Sequence, residues 1–164
     1  MAGSAIAEGV RLHHIARETS DVERLAAFYA EVLGFERVGA PKFGDFAVAW
    51  LRIPRSPLSL HIIERNPESK LPVSPYSAAA AAAAAHAVVA DPKELPRGHH
   101  VSFAVSNYDA FVRTLKERGI ETFEKTQPDG RTKQVFFFDP DGEFRVSFLS
   151  LFYAYLFIFL KNYF

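Results

Sequence analysis

Apolar and polar positions follow the same order in two separate segments of the chain. Each segment begins with a partly alternating stretch, at residues 12–18 and 99–105, of the kind that predicts a half-buried strand. An amphipathic stretch with helical spacing follows in each case, at 21–33 and 108–118, and ends at a glycine. The pattern therefore predicts one strand–helix module that occurs twice.

Local signals define the remaining predicted elements. Ser20 and Glu23 form a Ser-x-x-Glu capping box, which predicts that the first helix begins at Ser20. Ser106 or Asn107 is the predicted start of the second helix. Further strands, bounded by Gly, Pro or Ser, are predicted at 35–38, 45–53, 58–64, 120–124 and 134–139. The first module is thus βαβββ, and a turn at 127–130 separates the last two strands.

The predicted organisation is a single domain, which a length of 164 residues is sufficient to form around one core. Between the repeated segments, Pro, Ser and an alanine tract at 78–85 predict a low-complexity linker, with a pocket-covering loop as the alternative. We predict a disordered lead at 1–10, a single domain at 11–142 and a hydrophobic tail at 143–164. Within the domain, module one covers 11–65, the linker 66–97 and module two 98–142.

Charge and cysteine content narrow the classes of partner and site. Lys plus Arg equals Asp plus Glu at 19 each, so no basic stripe favours nucleic acid and no acidic tail favours a basic partner. The chain has no cysteine, which excludes disulfides and thiolate metal sites and leaves oxygen and nitrogen ligands. This composition fits a reducing compartment, and we expect a cytoplasmic protein.

Three histidines occupy positions that the repeated pattern makes notable. His14 and His100 fall at the same point of the two copies, and His61 lies in an alternating strand where it faces away from its apolar neighbours. Two imidazoles related by the repeat, together with a third, favour a shared metal site. The alternative for each is a core histidine with satisfied hydrogen bonds. His13 and His99 precede two of them by one residue and are predicted to point to the opposite face as surface residues.

Five short motifs occur in order along residues 10–142. They are Leu12-His13-His14-Ile15, Phe28-Tyr29-x-x-Val32-Leu33-Gly34-Phe35, Leu58-x-Leu60-His61-Ile62-x-Glu64, Gly98-x-His100-Val101 and Phe138-Asp139-Pro140-Asp141-Gly142. In this order and spacing they resemble the vicinal oxygen chelate superfamily, which includes glyoxalase I, bleomycin and fosfomycin resistance proteins and extradiol dioxygenases. The plant glyoxalase I-like branch is the most similar.

The resemblance implies a fold, a metal site and a reaction. The implied fold class is α+β, with two paired βαβββ modules that form a curved mixed sheet around a central metal cleft. The implied ligands are His14, His61 and His100, for a divalent ion such as Zn, Ni, Mn or Fe(II). In glyoxalase I such an ion acts as a Lewis acid while a carboxylate base moves a proton in the hemithioacetal of methylglyoxal and glutathione. A small-molecule substrate and a homodimer are implied as well.

Two departures from the family pattern predict weak or absent isomerase activity. The fourth ligand of the family, a glutamate four residues after the Asp-Pro-Asp-Gly glycine, is replaced here by Val146, so no catalytic residue is assigned. Glu143 is an odd number of positions away and is predicted on the opposite face. Glu18 stands where glyoxalase I carries an arginine for glutathione, and its charge would repel the tripeptide. The neighbouring Arg17 is predicted to point away and to be solvated.

These departures leave two functional classes open. The first is a divalent-metal-dependent lyase or isomerase of the glyoxalase I (lactoylglutathione lyase) type. Its activity would be impaired because Val146 replaces the glutamate that is the fourth ligand of the family. The second is a noncatalytic protein that binds small molecules, as the resistance proteins of the superfamily do. Metal content distinguishes the two.

The composition changes abruptly after Gly142. One hypothesis is that residues 143–164 are translated intron, because a mixture of Phe, Tyr, Leu, Lys and Asn is typical of AT-rich noncoding DNA. A membrane anchor is an alternative, since 146–160 carries no charge, although a span usually needs about 20 residues. In a third interpretation the alternating residues at 144–148 complete the last strand, and the remainder packs as a helix or stays an exposed apolar segment.

Overall fold

Two four-stranded sheets, each accompanied by one helix, account for the regular structure of the described residues. The computed structural model describes residues 11–39, 44–69, 101–141 and 145–150. They belong to two units of the chain, 1–69 and 70–164. Several predicted features lie outside the described residues: the lead at 1–10, the linker from residue 70 onward, His99, His100, Glu143 and the tail at 151–164.

The first unit has the predicted βαβββ order. Its elements are β1 (His14–Thr19), α1 (Val22–Leu33), β2 (Glu36–Val38), β3 (Val48–Arg52) and β4 (Ser59–Glu64). The strand order in the sheet is β1-β4-β3-β2, in which β1 and β4 are parallel and the other pairs are antiparallel. The parallel pair requires a long crossover, and α1 with the two strands after it supplies that crossover.

The second unit repeats this topology. Its elements are β5 (Val101–Val105), α2 (Tyr108–Glu117), β6 (Phe123–Thr126), β7 (Lys133–Phe138) and β8 (Arg145–Ser150). The strand order is β5-β8-β7-β6, and again the first and last strands of the unit are the parallel pair. The α+β class and the duplication of a βαβββ module are therefore confirmed.

Strand β8 tests one of the three interpretations of the tail. This segment pairs with β5 and with β7, so the interpretation in which the start of the tail completes the last strand is confirmed for these six residues. Among the described residues, no helix is long and apolar enough to cross a membrane.

The two helices begin at equivalent residues. Asp21 is the N-cap of α1, and its Oδ1 accepts a hydrogen bond of 3.0 Å from the amide of Arg24. Asn107 caps α2 in the same way through Ala110 at 3.1 Å. The predicted start at Ser20 is therefore wrong by one residue, because the aspartate reaches an unpaired first-turn amide that the serine does not.

Replacing Asp21 with alanine is expected to lower the free energy of unfolding by about 1 kcal/mol, because the amide of Arg24 loses its acceptor. Chemical denaturation monitored by circular dichroism measures the change. Asp21→Asn is the matched control and should be close to wild type, since asparagine caps as well as aspartate. Equal destabilisation by both variants would show that charge, rather than capping, stabilises this end of the helix.

Alternating residues along the strands of the first sheet lie on two faces: a buried face that α1 covers, and a second face that α1 does not cover. α1 packs against β3 and β4, and the strand residues on the buried face are Arg17, Thr19, Ala49, Leu51, Leu60 and Ile62. Arg17 is only 4% exposed, so the prediction that it is solvated is wrong. It lies in phase with Thr19, which places it on the helix-covered side of β1. The intervening residues, including Trp50 and His61, therefore belong to the second face.

Candidate metal centre on the first sheet

Two of the three predicted ligands lie on the second face of the first sheet. His61 of β4 is directly paired with Ala16 of β1 on one side and with Trp50 of β3 on the other. His14 precedes Ala16 by two residues, so it shares the face of Ala16 and hence of His61. The strand register thus brings His14, Trp50 and His61 to one place.

The rings of this group are in direct contact. The centroids of the His14 and His61 rings are 5.8 Å apart. The Trp50 indole stacks on His61 at 4.2 Å with an interplanar angle of 12° and meets His14 edge-on at 5.1 Å. Trp50 therefore holds the two imidazoles against a common rigid surface, and we call His14, Trp50 and His61 the imidazole cluster.

His13 belongs beside this cluster, and the prediction that it faces the opposite side is wrong. Its Nδ1 lies 2.9 Å from the Nδ1 of His14, and its ring meets that of Trp50 edge-on at 6.4 Å. Strand β1 begins only at His14, so the alternation that holds within a strand does not apply to His13. Its ring is nevertheless exposed, as predicted for a surface residue.

Burial and a neighbouring imidazole affect the protonation of His61. Desolvation lowers the pKa of His61 below its usual value of 6.5, and the charge of His14 lowers it further. Both effects disfavour the cation. His61 is therefore neutral at pH 7, which is the state in which an imidazole nitrogen can bind a metal ion.

The geometry of the pair is compatible with a shared metal ion. An imidazole nitrogen lies about 2 Å from a bound Zn²⁺, so rings with centroids 5.8 Å apart can both reach an ion between them. Within the part of the chain that the structure describes, no group of three His, Asp or Glu side chains is arranged to hold a metal ion. His100, the third predicted ligand, lies outside that part.

Two carboxylates near the C-terminal ends of β1 and β4 have structural partners. Glu18 forms an ion pair with Arg65, with 3.7 Å between Oε1 and Nε, so its charge is partly compensated. Glu64 accepts a hydrogen bond of 2.7 Å from the amide of Ala47. The Arg65 guanidinium thus places a positive charge beside Glu18, and the repulsion of glutathione by Glu18 stays a prediction.

The strand register adds information about the missing fourth ligand. Ser102 of β5 is two residues after His100, as Ala16 is after His14, and Ser102 pairs with Ser147 of β8. In the first unit the residue that pairs with Ala16 is His61. The corresponding backbone position in the second unit is the one that pairs with Ser102, which is residue 147. Counting from the Asp-Pro-Asp-Gly turn points instead to Val146. Neither residue carries a carboxylate.

Sequence reasoning missed Trp50 and His13 as parts of the site. Trp50 lies between two apolar residues of a predicted strand, Ala49 and Leu51, so alternation alone could have assigned it to the face of His61. No local signal indicates the contact between His13 and His14, because it depends on where the strand begins.

Comparison with known proteins extends these observations. The family model of the Glyoxalase/Bleomycin resistance protein/Dioxygenase superfamily matches residues 11–144, which is most of the chain. A search of curated proteins found no significant match.

Solved structures of low sequence identity share the fold. A lactoylglutathione lyase from Agrobacterium tumefaciens is 15% identical, with a TM-score of 0.54 and coverage of 88% of this chain and 96% of that one. A variant of the fosfomycin resistance protein FosX from Listeria monocytogenes, complexed with Mn(II) and 1S,2S-dihydroxypropylphosphonic acid, is 15% identical, with a TM-score of 0.59 and coverage of 88% and 93%.

A third similar structure is that of an antibiotic-binding protein from a Streptomyces species. It is 18% identical, with a TM-score of 0.59 and coverage of 88% of this chain and 98% of that one. At such identities the likeness concerns the fold. The repeated βαβββ topology and the match over residues 11–144 together show that this chain belongs to the Glyoxalase/Bleomycin resistance protein/Dioxygenase superfamily.

Proposed function

We propose that this protein binds one divalent metal ion through His14, His61 and His100 and is a lyase or isomerase of the glyoxalase I type with weak proton-transfer activity. The observation that carries the proposal is the imidazole cluster, in which two histidines from neighbouring parallel strands lie 5.8 Å apart on one face. His100 enters the proposal because it repeats the position of His14 in the second copy of the motif.

The residues of the cluster have separate roles in this proposal. His61 is neutral at pH 7 and offers a lone pair, and Trp50 keeps its ring in place by stacking. His14 supplies the second nitrogen from the adjacent strand. The ion, when bound, supplies Lewis acidity toward two vicinal oxygens of a small molecule.

The weakness of proton transfer follows from the residues at the fourth position. A base must reach the proton that it removes, and a carboxylate serves that purpose in glyoxalase I. The two positions that could correspond to this carboxylate hold Val146 and Ser147, and neither side chain is a base at neutral pH. We therefore propose that the protein binds its small-molecule ligand at the metal more effectively than it converts it.

Purified protein is expected to bind about one divalent ion per chain, with His14, His61 and His100 as three ligands from the protein. The chain has one tryptophan, which stacks on His61, so paramagnetic Co(II) bound by the cluster should quench the intrinsic tryptophan emission. Elemental analysis and fluorescence titration with Co(II) measure the two effects. Emission unaffected by Co(II), together with no metal after reconstitution, would contradict the proposal.

A noncatalytic small-molecule-binding function is the second candidate. The large aromatic surface of Trp50, beside two histidines on the face that α1 does not cover, favours it, and one structurally similar protein is described as an antibiotic-binding protein. Two fluorescence measurements separate the candidates. If a planar aromatic compound changes the emission of Trp50 in the presence of a chelator, and Co(II) without chelator does not, the binding function is supported over the first.

A further inference from the structure

A polar contact joins His13 to His14 of the imidazole cluster. The two Nδ1 atoms are 2.9 Å apart, and the rings are nearly perpendicular, at 88° with centroids 5.2 Å apart. A hydrogen bond between two imidazole nitrogens requires one to carry the proton and the other to accept it. The contact therefore couples the tautomers of the two rings.

Metal binding by His14 selects one of the two arrangements. With Nδ1 of His14 engaged by His13, the nitrogen left for an ion is Nε2. A neutral imidazole that binds through Nε2 carries its proton on Nδ1, so His14 must donate and His13 must accept. Histidines that bind metals commonly donate their other N–H to a neighbouring acceptor, which sets the orientation and tautomer of the ring.

The position of His13 is held independently of this hydrogen bond. Its carbonyl oxygen accepts a hydrogen bond of 3.3 Å from the amide of Ser59, at the start of β4. Its ring also contacts the edge of Trp50 at 6.4 Å. Backbone and ring are therefore both anchored to the strands that carry the imidazole cluster, so the place of the His13 ring does not depend on its hydrogen bond to His14.

We propose that His13 is a positioning residue that holds His14 in the tautomer protonated at Nδ1 and directs Nε2 toward the ion. Only the statement that Nε2 is directed toward the ion rests on the proposed function. The tautomer of His14 can be measured without a metal. The chain departs from ordinary alternation here, because two adjacent histidines at the start of β1 lie on the same side of the sheet.

Two variants of His13 test the proposal. His13→Ala removes the acceptor, whereas His13→Asn keeps a side-chain oxygen near the position of Nδ1. We expect His13→Ala to weaken Co(II) and Zn(II) binding by about 10- to 100-fold, as is typical for loss of an outer partner of a metal ligand. His13→Asn should restore most of the affinity, and His86→Ala, in the predicted linker, is the control for loss of a histidine elsewhere.

Nitrogen-15 NMR of the imidazole rings provides the readout that does not depend on metal. In metal-free protein at neutral pH, His14 should be mainly protonated at Nδ1 in wild type and in His13→Asn, and should shift toward protonation at Nε2 in His13→Ala. An unchanged tautomer and unchanged affinity in His13→Ala would overturn the inference. Wild-type protein that binds no metal but shows the tautomer shift would refute the proposed function while supporting the positioning by His13.

Discussion

Replacing His61 with alanine is expected to lower the affinity for Zn(II) or Co(II) by at least about 100-fold, since loss of even an outer partner of a ligand costs about 10- to 100-fold. The variant removes one of three proposed ligands and also uncovers one face of Trp50. Isothermal titration calorimetry with Zn(II) and quenching of tryptophan emission by Co(II) give independent values of Kd. Both should move together.

The control for this experiment is His86→Ala, which removes a histidine of the predicted linker and should leave Kd unchanged. Circular dichroism and thermal unfolding of each variant establish that the fold is retained. Because the His61 side chain is only partly buried and lies on the face that α1 does not cover, its removal should leave the core intact. A folded His61→Ala variant that binds Zn(II) as tightly as wild type would exclude His61 as a ligand.

Replacing Phe137 with alanine is expected to lower the free energy of unfolding by about 3–5 kcal/mol, the range for large aromatic residues in a core. Phe137 is 0% exposed, and its ring lies 6.3 Å from that of Phe111 of α2 and 6.0 Å from that of Phe148 of β8. Since whole proteins are stable by about 5–15 kcal/mol, such a loss can unfold the second unit at moderate temperature. Urea denaturation measures it.

Phe46→Ala is the matched control for the same change in side-chain size. Phe46 is 45% exposed, so its removal leaves a much smaller cavity and should cost far less. If the two variants were equally stable, the stacking of β8 on β7 through Phe148 and Phe137 would not contribute to the core of the second unit.

Much of the topology followed from local patterns. The alternation at 12–18 and 58–64 and the helical spacing at 21–33 predicted β1, β4 and α1 to within a few residues. Gly34 ends α1 in the left-handed conformation, with φ of 70°, as its place after the apolar stretch indicated. Periodicity succeeds here because burial of one face dictates the spacing of apolar residues.

The predictions were wrong at the ends of elements and at one charged residue that is buried. Asp21 rather than Ser20 caps α1, because capping depends on which side chain reaches a free amide. Arg17 is buried although its type is usually solvated, since it falls in phase with the covered face of β1. His13 lies beside the imidazole cluster because β1 begins one residue after it.

Sequence alone predicted a strand–helix module that occurs twice, with βαβββ order in the first copy. It also identified His14, His61 and His100 as candidate ligands and determined that no glutamate occupies position 146. Tertiary structure decided which side chains meet: the parallel pairing of β1 with β4 and the antiparallel pairing of β3 with β4 bring His14, Trp50 and His61 together. The register of β8 with β5 also shows that residue 147, rather than 146, occupies the position in the second unit that His61 occupies in the first. The physical reason is that periodicity records only whether a residue faces the core, whereas register between strands distant in sequence sets its neighbours.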